Sequence, residues 1–134
     1  FILVLFLSLF LNELISSNTE KLKAVINTGF TRITLVNFEK SERITIDYNL
    51  VWNNLKGETV NMPFLAIAEI KSEKSTSQSP FFSQLKKQGV RSTGFSKYAM
   101  GMAIVNGAPK QNNLKPKLLL IKKIRDEFIG NGTV

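Results

Sequence analysis

The chain predicts an α+β fold built on an antiparallel sheet, because its strand-like segments come first and its helix-like segments follow. Three observations carry this. Segments between Phe30 and Ser72 alternate apolar and polar residues with period two, as half-exposed strands do. From Ser79 onward the punctuation is helical, with a capping Ser, a Pro in the first turn and a Gly past the last. The polar faces of the strands carry Arg, Lys and carboxylates rather than small neutral groups. In Arg43 to Trp52, Arg43, Thr45, Asp47 and Asn49 are expected on one side, with Ile44, Ile46, Tyr48, Leu50 and Trp52 on the other.

The elements follow in order. Residues 2 to 17 read as an apolar helix ended by Ser16, Ser17 and Asn18, within an N-terminal unit of residues 1–18. Lys21 to Asn27 is a short extended lead to Gly29. Phe30 to Val36 and Arg43 to Trp52 form a hairpin across the polar loop Asn37 to Glu42. In the first of these, Arg32 and Thr34 share a face. Asn53 to Gly57 is a second turn, and Glu58 to Met62 a short strand. Phe64 to Ser72 is the third strong strand, with Leu65, Ile67, Glu69 and Lys71 on one face. Glu73 to Ser79 reads as a mobile loop. A helix follows, capped by Ser79, opened by Pro80 and stopped at Gly89. Phe95 to Val105 reads as a helix despite Gly101, with Ala99, Met102 and Ala103 as a small-residue face. Lys115-Pro116 opens a last element, Leu118 to Phe128. Residues 130–134 are expected to fray.

Composition bounds the chemistry. The 134 residues suit one domain. Eighteen Lys and Arg against 10 Asp and Glu give a net charge of +8, which favours an anionic partner. Cys is absent, so there is neither a disulfide frame nor a thiolate metal site. His is absent too, which leaves carboxylates, Lys, Arg and an oxygen-bound metal for any catalysis. A cytoplasmic location is expected. The run Phe1 to Leu11 is shorter than the roughly 20 residues of a membrane span, and membrane contact through it stays an open reading beside a core helix. The chain opens on Phe1 rather than Met, which reads as a missing start.

The motifs FTRITL, ERITIDYNL, AEIKSEK and GFSKYAMGMAIVN, in this order and spacing, resemble the C-terminal half of the VTC domain in its bacterial form. This is the vacuolar transporter chaperone type of polyphosphate polymerase, of the triphosphate tunnel superfamily. The resemblance runs from about Leu22 to Ile124, within a unit of residues 19–129. It implies that the antiparallel sheet is part of a tunnel-like barrel, lined by Arg, Lys and Glu, with helices packed outside. It further implies ATP-dependent transfer of a phosphoryl group to polyphosphate, with Arg32, Arg43 and Lys97 as catalytic and phosphate-binding residues. Lys71 would join them at the phosphates. Glu69 would hold a divalent cation, Mn²⁺ or Mg²⁺. Phe30 stands where the family has a tyrosine and so lacks its hydroxyl. Basic tunnel strands preceding Phe30 are missing, so the expectation is a fragment inactive by itself, in need of the N-terminal half of its own domain.

Two other functions are weighed. One is a tunnel-fold triphosphatase, in which water rather than phosphate attacks. The other is a non-catalytic polyanion-binding module. Nucleic acid is not expected, because Phe30 and Tyr48 do not make an exposed stacking set. No Gly-rich phosphate loop is present.

Overall fold

The computed structural model describes residues 23–73, 76–107 and 112–131. The expected helix over residues 2–17 and the last residues, 132–134, lie outside them.

Four strands form one antiparallel sheet: β1 (Ile26–Asn37), β2 (Glu42–Asn54), β3 (Thr59–Met62) and β4 (Ile67–Ser72). β2 is central. β1 runs along one of its edges, and β3 and β4 follow one another along the other. Met62 and Ile67 are five residues apart, whereas their partners Leu50 and Asp47 are three apart. β3 and β4 are therefore one edge interrupted by a turn, in which Leu65 N–H donates to the Met62 carbonyl at 3.2 Å. That turn removes Phe64 to Ala66 from the strand expected over Phe64 to Ser72. β1, in contrast, starts earlier than expected, at Ile26.

Opposite the interruption, β2 bulges. Tyr48 pairs with Thr31 and Val51 with Gly29, so Asn49 and Leu50 together face Phe30. Asn49 takes the left-handed conformation, φ 53°. Asn tolerates this region better than most residues, and one left-handed residue in a strand is the mark of a bulge. The bulge corrects the expectation that Leu50 and Trp52 lie opposite Arg43, Thr45 and Asp47. Trp52 pairs with Thr28, which shares a face of β1 with Arg32, so beyond the bulge the apolar residues cross to the side of Asp47. Asn49→Gly is expected to leave stability level or raised, whereas Asn49→Val should cost about 1–2 kcal/mol, read from urea midpoints.

Three helices follow: α1 (Pro80–Lys87), α2 (Lys97–Val105) and α3 (Lys115–Asn131). Ser79 caps α1, its hydroxyl accepting from Phe82 N–H at 3.2 Å, and Ser96 caps α2 by accepting from Ala99 N–H at 3.2 Å. Between β4 and α1 a short 3₁₀ turn, Thr76–Gln78, occupies part of the expected loop. α3 continues through Gly130 and Asn131, into the stretch expected to fray.

The core is Leu50, Trp52, Met62, Leu65, Met100 and Ile121. α2 contributes Met100, Gly101 and Ala103 to it, so the buried face is centred on Met100 rather than on Ala99 and Met102. Gly101 has a packing reason. A Cβ there would fall 2.4 Å from Trp52 Cδ1 and 2.7 Å from Ile26 Cδ1, so the helix backbone rests directly on the indole. On the other side of the sheet, Ile46, Ala68 and Ile70 face Phe81, Phe82 and Leu85 of α1 and Leu120 and Ile124 of α3 across an apolar cleft of about 560 Å³. The fold is mixed α+β, as expected. The four-stranded sheet is open among the described residues and does not by itself close into a barrel.

Candidate phosphate-binding face

Register sets the chemistry of one sheet face. Arg32 lies opposite Asp47, Thr34 opposite Thr45, Arg43 opposite Lys71 and Thr45 opposite Glu69. Directly opposed residues share a face, so Arg32, Arg43, Glu69 and Lys71 point the same way from three strands. Together with Thr34 and Thr45 they line a cavity of about 140 Å³. Three cations and one carboxylate leave it with an excess of two positive charges. Glu69 and Lys71, two apart on β4, approach to 3.4 Å, and both are more than half exposed, so their pair contributes little to stability. Among the described residues the Arg43 guanidinium forms no ion pair, which leaves its planar fork of donors open toward the cavity.

Asp47 organises the adjoining end of the face. It is 2% exposed. Arg32 donates to it through two nitrogens, Nε to Oδ1 at 2.6 Å and Nη2 to Oδ2 at 2.8 Å. Lys97 Nζ reaches Oδ2 at 2.5 Å from the first turn of α2. The Phe30 ring borders both cations, 5.1 Å from Arg32 Cζ and 4.9 Å from Lys97 Nζ. Phe30 therefore serves as a cation–π wall, an arrangement that needs no hydroxyl. Lys97 reaches this point because Lys97 and Gly101, four apart, share a helix face. Gly101 sits on Trp52 while Lys97 meets Asp47. The bulge at Asn49 makes this possible by placing Trp52 on Asp47's side of the sheet.

Electrostatics follow from the contacts. Hydrogen bonding to Arg32, aided by Lys97, outweighs burial and lowers the Asp47 pKa to about 2. The same hydrogen bonds raise that of Arg32. Because the folded-state value lies below the ordinary 3.8, the stabilisation is full above about pH 4 and lost as pH falls toward 2. It is worth about 2 kcal/mol. Urea midpoints should fall through this window, and Asp47→Asn should remove that part of the acid dependence.

A metal would find few protein ligands here. Among the described residues no three acidic side chains converge on one point. Glu69 is the carboxylate at the cavity, and Asp47 is already held by two cations. Glu69 could lend at most one carboxylate to a hard divalent cation, whose other ligands would have to be phosphate oxygens and water.

Of the residues marked from sequence, Arg32, Arg43, Glu69 and Lys71 meet at one cavity, while Lys97 adjoins through Asp47 and Arg32. Asp47, which alternation places on the face of Arg43 but ranks below it as a site residue, turns out to hold both Arg32 and Lys97. Its position opposite Arg32 depends on strand register, which alternation alone does not give. No helix among the described residues is long and apolar enough to cross a membrane.

An open antiparallel sheet with helices packed on it and a cationic cluster on one face defines an α+β domain with a charged, mainly basic sheet surface. The chain belongs to the VTC domain family, whose description matches residues 7–106. The match begins earlier than the resemblance seen in the motifs and ends just after α2, leaving α3 outside it. No curated protein and no solved structure matches the chain.

Proposed function

We propose that this VTC domain binds the phosphate chains of ATP and polyphosphate on the face formed by β1, β2 and β4, and transfers the terminal phosphoryl group of ATP to polyphosphate. The observation that carries the reading is the register-aligned set Arg32, Arg43 and Lys71 around one cavity, with Lys97 beside it. In the transfer, a terminal oxygen of the polyphosphate chain attacks the γ-phosphorus, the bond from that phosphorus to the bridging oxygen breaks, and ADP leaves. Phosphoryl transfer of this kind depends on positioning and charge neutralisation rather than on covalent help from the protein. Arg43 offers a bidentate fork, Lys71 and Lys97 offer point charges, and Arg32 offers the donors left after Asp47 is served. Glu69 would hold Mn²⁺ or Mg²⁺, which when bound shields charge between phosphate oxygens.

Transfer and hydrolysis differ in the attacking group: a polyphosphate terminus is already an anion, whereas water must be oriented, and the buried carboxylate of this face, Asp47, is held by Arg32 and Lys97. Closure of the sheet into a tunnel wall is part of the same proposal, supported by family membership. Incubation of the full-length protein with ATP and Mn²⁺ or Mg²⁺, followed by product sizing, tests it. Long polymer is the expected product. Orthophosphate alone would make the protein a triphosphatase, and tight binding of polyphosphate with neither product would make it a binding module.

A further inference from the structure

Asp47 is the buried carboxylate of the phosphate-binding face, yet it touches no open space from which a ligand could reach it. Its two oxygens are spent on cations from two separate elements, β1 and α2. We propose that Asp47 is a positioning residue, an internal anion that fixes the Arg32 guanidinium and the Lys97 ammonium in the orientation in which they receive a phosphate. This rests on the phosphate-binding reading above and adds to it a residue without direct substrate contact.

Donor accounting supports the role. Arg has five N–H donors, and Asp47 takes one from Nε and one from Nη2. Both Nη1 donors and the second Nη2 donor remain. Lys97 spends one donor and keeps two. The cations stay accessible while their anchor does not: the Arg32 side chain is 43% exposed and that of Lys97 24%, against 3% for Asp47. Arg32 also lines the cavity of Arg43, Glu69 and Lys71, so whatever fixes Arg32 fixes one wall of that cavity. The Phe30 ring, about 5 Å from both cations, limits their swing on the other side.

The rival reading is a plain counter-charge that only lowers the positive field. The two differ in sign. Removing a counter-charge adds net positive charge and tightens polyanion binding. Removing a positioning anion frees two flexible side chains, and binding weakens although the charge has risen.

The probe is inorganic tripolyphosphate, titrated calorimetrically into the full chain at fixed salt. Asp47→Asn is expected to weaken binding roughly tenfold, the effect of misplacing about one charge-assisted hydrogen bond. Asp47→Glu keeps the charge but moves it by one methylene, and it should also weaken binding. In an Arg32→Ala/Lys97→Ala background, Asp47→Asn should change affinity less than about twofold, because nothing remains to position. Thermal melts of each variant show which ones fold, and Asp47→Glu serves if Asp47→Asn does not. Unchanged or tighter binding by a folded Asp47 variant overturns the proposal, as does an undiminished loss in the double-alanine background. Arg43→Ala separates the two levels. If it weakens tripolyphosphate binding and the Asp47 variants do not, the phosphate site stands and the positioning role falls. If wild type fails to bind, both fall.

Discussion

Gly101→Ala is expected to lower the thermal midpoint by about 10 °C and to weaken tripolyphosphate binding at the proposed site, which it does not touch. The added Cβ would lie 2.4 Å from Trp52 Cδ1 and 2.6 Å from Nε1. Trp52 is fully buried between the sheet and α2, so the ring has no free volume to enter. Overpacking costs about 1–3 kcal/mol, occasionally more, and a 2.4 Å approach puts this site at or above the upper end. Alanine's better helix propensity returns only about 1 kcal/mol. The net loss, about 2–3 kcal/mol, corresponds to roughly 10 °C in a chain of this size. α2 must move outward to relieve the contact, and Lys97, on the same helix face, moves with it away from Asp47. Trp52→Leu in the Gly101→Ala background should recover part of the stability by making room, and calorimetric melts would show it. A Gly101→Ala variant as stable as wild type would mean that α2 does not sit on the indole.

Arg43→Ala is expected to cut tripolyphosphate affinity roughly 10- to 100-fold, the loss of one charged, bidentate contact. Stability should barely change, because the guanidinium is exposed and forms no ion pair among the described residues. Arg43→Lys should restore only part of the affinity, since an ammonium cannot reproduce the planar fork. The slope of log K against log salt should become shallower, because fewer counterions are displaced. An equal loss on replacing Lys86 or Lys122, on helices away from the face, would point to general attraction by the net positive charge.

These two predictions also mark what was legible in the amino-acid order. Alternation is a local property, so the shared face of Arg43, Thr45 and Asp47, and that of Glu69 and Lys71, could be read directly from period two. The helices beginning at Pro80 and Lys97 could be read as well, since Ser79 and Ser96 cap within a few residues of themselves. The bulge could not. It rests on one left-handed residue, Asn49, whose side chain gives the same signal in any exposed strand position, and it reverses the sides of Leu50 and Trp52. Asp47's role depended on that missing information, because its partners come from β1, 15 residues away, and from α2, 50 residues away. Gly101 looked like a flaw in a helix until the indole beneath it was located.

The side chains of the arginines offer the most direct test of convergence on one phosphate site. With ¹⁵N-arginine label, the Nε–Hε resonances of Arg32 and Arg43 should move along a single saturation curve as tripolyphosphate is added. Those of Arg91 and Arg125, which lie away from the cavity, should stay in place. Movement of Arg91 or Arg125 on the same curve, or separate midpoints for Arg32 and Arg43, would contradict a shared site.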